Sequence, residues 1–277
     1  MDQLNEKTLK SLKKIANKIR QDIIEMLAKA RSGHPAGALG LADIFSAFYF
    51  QILNHRPKEP AWKNRDRLIL SNGHVCPARY AAMAEAGYFF KEKLLTLRQL
   101  GSPLQGHPEP HRLPGLETLS GPLGEGSSQA VGLAYAAKMD KATWRVYCIM
   151  SDGELQEGQT WEALLFAAKY KLNNCTFIID RNNIQIEGHT EEIMLLEPLA
   201  DKFSAFGLHV EKCDGNNIES FIRAVENAKK NIDKPTVIIA KTIPGKGVSF
   251  MENKVEWHGK PPSIEEADLA LIELKKN

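Results

Sequence analysis

Residues 145–183 read RVYCIMSDGELQEGQTWEALLFAAKYKLNNCTFIIDRNN. An apolar run over Val146 to Met150 stops at Ser151, Asp152 and Gly153, and a second over Phe177 to Ile179 stops at Asp180, Arg181, Asn182 and Asn183. Between them, residues 158–171 place apolar side chains at helical spacing. Both apolar runs are continuous rather than alternating, the pattern of strands covered on two faces. Strand, helix and strand in that order make a parallel unit. In such sheets ligands gather at the carboxyl ends of the strands, where both of these polar exits lie.

The same alternation extends outward. Further β-type runs occur at 67–71, 209–213 and 236–240, and helical patterns at 6–30, 41–53, 77–86, 91–100, 126–139, 217–231 and 263–275. Leu9, Leu12, Ile15, Ile19, Ile23 and Leu27 form one apolar stripe on the first helix. The expected fold is α/β: a parallel sheet of about five strands with helices on both faces, built as one domain over residues 1–277. The stretch from Gly101 to Gly126 is rich in Gly and Pro without periodicity, which in a compact domain reads as a functional loop or a linker.

Composition narrows the function. Lys and Arg number 36 against 34 Asp and Glu, scattered without blocks, so a nucleic-acid partner is disfavoured. Cys76, Cys148, Cys175 and Cys213 are widely spaced with no CxxC pair, which suggests neither a zinc site nor a disulfide framework. The charged start, MDQLNEKTLKSLKKIANKIRQDIIEML, lacks the apolar core of a signal peptide, and a cytoplasmic location is expected.

Asp152 before Gly153 reads equally as an ordinary helix N-cap or as a metal ligand beside a glycine that admits a ligand to the backbone. Thirty residues on, the second exit offers more oxygen donors. A carboxylate, an amide and a carbonyl make a sparse set for Mg2+ or Ca2+, a set that substrate phosphates and water usually complete. Of eight histidines, four lie in glycine-bearing loops, SGHP, NGH, QGHP and WHG, where packing alone gives little reason for an imidazole. Imidazoles exchange protons near neutral pH. His55, His111, His189 and His209 have no such setting and read as structural.

The quoted stretch resembles the thiamine diphosphate motif, an Asp-Gly pair followed about thirty residues later by Asn, in the version found in transketolases. RSGHPAGALG at 31–40, DRLILSNGH at 66–74, QGHPE at 105–109, SGPLGEG at 120–126 and WHGKPP at 257–262 agree with that family in the same order. The resemblance covers nearly the whole chain. It implies that Asp152, Asn182 and the Ile184 carbonyl hold Mg2+, with Ca2+ or Mn2+ as substitutes. It also implies that His74, Gly121, Leu123, Gly153, Glu157, Asn182 and Ile186 contact thiamine diphosphate, helped by loop amides between Gly121 and Gly124. His34, His258 and His107 are the catalytic residues it implies, the first two in proton transfer or in binding substrate hydroxyls. Glu157 and Glu162 correspond to glutamates of a carboxylate network at the family's dimer interface; solvated carboxylates are the plainer reading. Gly245-Lys246-Gly247 reads as a simple turn or as part of a mobile loop over the cofactor.

In this family the aminopyrimidine ring is bound and activated by a glutamate of a separate pyrimidine-binding domain, and residues 1–277 hold no segment for it. The chain is therefore expected to be the amino-terminal subunit of a split transketolase. Its partner would be a carboxy-terminal subunit, in a heterotetramer, and its reaction the transfer of a two-carbon ketol group between sugar phosphates, as in the pentose phosphate pathway. Alternatives are a deoxyxylulose phosphate synthase-like or unusual sugar-phosphate enzyme, a 2-oxo acid dehydrogenase component, a metal-dependent hydrolase or a non-catalytic cofactor-binding subunit. One departure stands out: Ser151 occupies a position where the family usually has glycine, which predicts altered cofactor affinity.

Overall fold

The computed structural model describes residues 5–276. Five parallel strands form the sheet: β1 (Arg67–Leu70), β2 (Val146–Ser151), β3 (Cys175–Arg181), β6 (His209–Asp214) and β7 (Thr236–Lys241), in the spatial order β1-β2-β3-β7-β6. A small antiparallel hairpin, β4 (Ile184–Gln185) with β5 (Gly188–His189), follows β3 directly. The helices are α1 (Glu6–Ala30), α2 (Pro35–Gly40), α3 (Ala42–Ala47), α4 (Cys76–Glu85), α5 (Glu125–Met139), α6 (Gly158–Lys169), α7 (Thr190–Ile193), α8 (Leu199–Ala205), α9 (Ile218–Lys230) and α10 (Ile264–Lys276).

Alternate side chains of each strand enter different cores. Leu68, Leu70, Tyr147, Ile149, Ile178 and Ile238 pack under α1, α3, α4 and α9, whereas Ile69, Cys148, Met150, Phe177, Ile179 and Val237 pack under α5, α6 and α8. This explains why the runs are continuously apolar: each residue is buried on one side or the other, at about 1.5–3 kcal/mol for a full-size aliphatic or aromatic side chain. The faces follow from handedness. Stepping forward from β1 to β2, β3 and β6 puts α5, α6 and α8 on one face, and the step back from β6 to β7 puts α9 on the other. Strand β6 is a partly exposed edge carrying Glu211 and Lys212, charges that discourage further strand pairing.

The expected strands all form, with ends shifted by a residue or two. Two helical expectations need correction. The 41–53 pattern is not one regular α-helix: it is α3, Ala42–Ala47, continued by a π-turn at Phe48–Ile52. Residues 91–100 make only a 3-10 segment, Lys91–Thr96, because just Leu94 and Leu97 are buried, three apart, and nothing anchors a longer helix. The Gly- and Pro-rich stretch is not a linker. Buried Arg79 donates to the Gly115 carbonyl at 3.3 Å and Tyr80 to that of Gln105 at 2.9 Å, while Arg65 pairs with Glu117, so the core holds the loop by its polar groups. All four cysteines are free thiols. Among the described residues no helix is long and apolar enough to cross a membrane.

Candidate active site

Three of the loop histidines meet beside the carboxyl end of β1. The rings of His34 and His74 lie 5.0 Å apart between centroids, His34 and His258 5.6 Å, and His74 and His258 5.3 Å. Each arrives on a different segment: His34 caps α2, His74 follows β1, and His258 ends the long segment after β7. Two glycines of α2 let these segments converge. A Cβ on Gly37 would lie 2.9 Å from Val75, the neighbour of His74, and one on Gly40 would lie 2.9 Å from the Ile243 carbonyl oxygen, at the start of the segment that leads to His258. Gly245 donates to the Ala36 carbonyl at 2.8 Å, so the Gly245–Gly247 stretch is a turn pinned to α2. His107 approaches the cluster from the loop before α5: a Cβ on Gly73 would meet Ser120 Oγ at 1.7 Å and His107 Cδ2 at 3.2 Å.

Burial and mutual crowding lower the proton affinity of this cluster. His34 is pulled down to about 4, by burial first and then by His258, Arg98 and His107. His74 is held well below its ordinary value by burial and then by His258, His34 and His107. Burial alone lowers His258, and burial with Arg98 lowers His107. At neutral pH the imidazoles are therefore neutral, each with one donor and one acceptor nitrogen. Of the other histidines, His55 bridges Tyr88 and the Tyr49 carbonyl at 3.0 and 2.8 Å, and His209 meets Glu211 at 2.9 Å.

Across the adjacent strand ends lies the oxygen-donor group. Asp152, fully buried, accepts from the Gly153 amide at 2.8 Å, the Asn183 amide at 2.7 Å and Arg181 Nη1 at 2.8 Å. Burial pushes its carboxyl above the usual range, against the pull of Arg181 and those amides. Asn182 donates its amide nitrogen to Asp180 at 2.8 Å, which fixes its orientation and turns Oδ1 into the remaining oxygen, an acceptor for the Ile184 amide at 3.0 Å. Asp180 is itself buried, raised to about 7 by burial and held by Thr242. Gly153 borders the hairpin: a Cβ there would lie 3.1 Å from Gln185.

These residues fit a divalent ion and an anionic cofactor. One guanidinium, Arg181, faces three carboxylates, Asp152, Glu191 and Glu197, leaving an excess of negative charge for a cation to offset. Among the described residues no set of three His, Cys, Asp or Glu is grouped so as to hold a metal ion. Buried atoms of Asn72, Ser120 and His34 Nδ1 lack any protein partner along the same strand ends, as expected of groups that meet a polar ligand. Gly121 is half-buried beside His107 and Leu123 accepts from Gln159 at 2.9 Å, while Ile186 is 69% exposed and Glu157 and Glu162 are exposed near the start of α6.

Sequence reasoning missed Glu154. Fully buried, it accepts from Ser71 Oγ after β1, from the Gly124 amide at 2.5 Å ahead of α5, and from the Ser151 amide at 3.2 Å at the end of β2. One carboxyl thus gathers the three segments that carry His74, Gly121 and Asp152. Ser151 Oγ accepts in return from the Glu154 amide at 3.3 Å. Ser151-Asp152-Gly153-Glu154 is a capping box, and the S-x-x-E spacing was the signal that could have revealed it.

Residues 11–275 match the family described as transketolase, thiamine diphosphate binding domain. The chain is 43% identical to the 6-deoxy-6-sulfo-D-fructose transketolase subunit of a Clostridium species, over 94% of this chain and 95% of that one. It is also 43% identical to an apulose-4-phosphate transketolase subunit from Actinobacillus succinogenes, over 95% and 96%. Human transketolase is 39% identical over 93% of this chain but only 41% of its own length. The crystal structure of Campylobacter jejuni transketolase superposes with a TM-score of 0.91 at 40% identity, covering 96% of this chain and 43% of that one.

Proposed function

The chain belongs to the transketolase family through its thiamine diphosphate-binding domain, and on that premise we propose that it is the amino-terminal subunit of a two-chain transketolase. Its near-complete overlap with relatives named as transketolase subunits, against about two fifths of the single-chain enzyme, supports the division. The partner would supply the pyrimidine-binding domain and its activating glutamate. The exposed Glu157 and Glu162 are available to such a partner, and a heterotetramer with two copies of each chain follows the family's dimeric plan.

In this reading Asp152, Asn182 Oδ1 and the Ile184 carbonyl hold Mg2+, and Gly153 with the amides from Gly121 to Gly124 receives the diphosphate. Leu123, Ile186, His74 and Glu157 line the rest of the cofactor. Bound thiamine diphosphate supplies the carbon nucleophile that breaks the ketose carbon–carbon bond. The histidines manage the protons. Neutral His258 accepts the hydroxyl proton that the donor ketose releases as its bond breaks, and returns one to the acceptor aldose. Burial lowers the proton affinity of His258, as it does that of His34, so both imidazoles are neutral at pH 7. His34 and His107 orient hydroxyls through their donor and acceptor nitrogens. Relatives that act on a sulfo sugar and on apulose 4-phosphate support a ketose with a terminal anionic group as the substrate class.

The observation that carries this reading is the convergence of three neutral imidazoles, with ring centroids 5.0–5.6 Å apart, beside a metal-type donor set on neighbouring strand ends. Purified chain, assayed for ketol transfer with thiamine diphosphate, Mg2+ and a panel of ketose phosphates, should be inactive by itself. Adding a chain that carries a transketolase pyrimidine-binding domain should restore turnover. Full activity from this chain alone, or none from the mixture on any sugar tried, would overturn the proposal.

A further inference from the structure

The two turns that deliver His34 and His107 meet on one side chain, Arg98. Its Nη1 donates to Ser32 Oγ at 2.9 Å, two residues ahead of His34. A Cβ on Gly33 would lie 3.8 Å from Arg98 Nε, and a Cβ on Gly106 would lie 2.8 Å from both Nε and Cζ. The slot that accepts the guanidinium therefore exists only because residue 106 has no side chain. Arg98 itself holds a left-handed backbone at φ 60, fixed by its amide donating to the Leu104 carbonyl at 2.9 Å. Such a conformation is strained for a non-glycine residue, and it persists where the surroundings over-determine it. Among the described residues the Ser32 bond is the only side-chain hydrogen bond Arg98 makes, and no carboxylate forms an ion pair with it.

We propose that Arg98 is a positioning residue for the histidine cluster, its flat guanidinium wedged between the Gly33 and Gly106 turns so that His34 and His107 stand at a fixed separation. A slot filler alone would need neither the planar fork nor the charge. The charge has a second consequence. His34 is faced by the rings of His74 and His258, by His107 and by Arg98, and His107 by Arg98; a fixed cation at that point disfavours any further positive charge on these imidazoles.

Only the activity arm of the test rests on the ketol-transfer reading. His34 and His107 are titrated by NMR through their ring carbons in the wild-type chain, Arg98→Gln and Arg98→Lys. Arg98→Gln should move both midpoints upward, and Arg98→Lys, which keeps the charge, should leave them near wild type. In the reconstituted enzyme Arg98→Gln should lower turnover about 10- to 100-fold, as displacement of catalytic groups does, with unchanged thiamine diphosphate affinity; Arg98→Lys should recover part of the loss. Unmoved midpoints in Arg98→Gln would overturn the proposal. So would wild-type turnover in Arg98→Lys, or a loss of cofactor affinity that matches the loss of turnover. If Arg98→Gln fails to fold, Arg98→Lys decides by combining wild-type midpoints with reduced turnover. A wild-type chain that titrates as described yet never transfers a ketol group would refute the function and leave Arg98 as the positioning residue of this cluster.

Discussion

Gly40→Ala tests how the histidines are brought together. Two effects oppose each other. Alanine is better than glycine in a helix by about 0.5–1 kcal/mol, so on local grounds the change should stabilise α2. Against that, the new Cβ would sit 2.9 Å from the Ile243 carbonyl oxygen and 3.5 Å from its carbon, and backbone atoms cannot swing aside as a side chain can. Overpacking of this kind costs about 1–3 kcal/mol, so at the middle of both ranges the clash wins by about 1 kcal/mol. For a chain of this size that lowers the melting temperature by about 2–5 °C. The segment from Ile243 must back away by a few tenths of an ångström, carrying His258 from His34. Full misplacement by 1 Å costs about 100-fold in rate, so about tenfold is expected here. Asp152 and Asn182 sit just past the ends of β2 and β3, away from α2, and cofactor affinity should hold within threefold on that order of effect. The assays are thermal denaturation, isothermal titration with thiamine diphosphate and Mg2+, and ketol transfer in the reconstituted enzyme. A Gly40→Ala protein that melts higher than wild type and keeps full turnover would refute this account of the cluster.

Other outcomes follow from the same geometry. Asp152→Ala should abolish Mg2+-dependent cofactor binding, read by calorimetry, because it removes the charged member of the donor set and leaves Arg181 facing only Glu191 and Glu197. Glu154→Ala should strand the donors of Ser71, Gly124 and Ser151, at about 1–3 kcal/mol for each buried group left unpaired, and urea denaturation should show at least about 3 kcal/mol lost. Stability should also fall on acidification. His34 binds a proton near its ordinary 6.5 when unfolded but only at about 4 when folded, so protons favour the unfolded chain in that interval. Its contribution is intact above pH 6.5 and is lost as the pH falls toward 4, by at most about 3 kcal/mol, and His34→Asn should flatten that part of the urea profile.

The sheet was legible because its strands are apolar on both faces, a signal that survives without any knowledge of partners. Short elements were not. Helix α8 escaped because only Leu199 and Phe203 of its seven residues are buried, too few for a period. The 91–100 segment misled for the converse reason, since its leucines suit helical spacing while the core accepts only Leu94 and Leu97. In the site, histidines within glycine turns announced themselves, because glycine-rich loops have no packing need for an imidazole. Glu154 and Arg98 did not: each is a charged residue in a polar stretch, and what makes it matter is contact with segments remote in sequence. The capping box around Ser151 was readable in principle. It also changes the meaning of that serine, whose hydroxyl is engaged with Glu154 as an acceptor.

The most direct test of the central claim, that the chain separates cofactor holding at the β2 and β3 ends from proton handling by the histidines, is a paired measurement on His258→Ala. Thiamine diphosphate affinity with Mg2+ and ketol-transfer turnover should be measured on the same reconstituted preparation. Affinity should stay within a few fold of wild type while turnover falls about 100-fold or more, the usual scale for losing a general base. Turnover retained, or cofactor binding lost in step with it, would contradict the account.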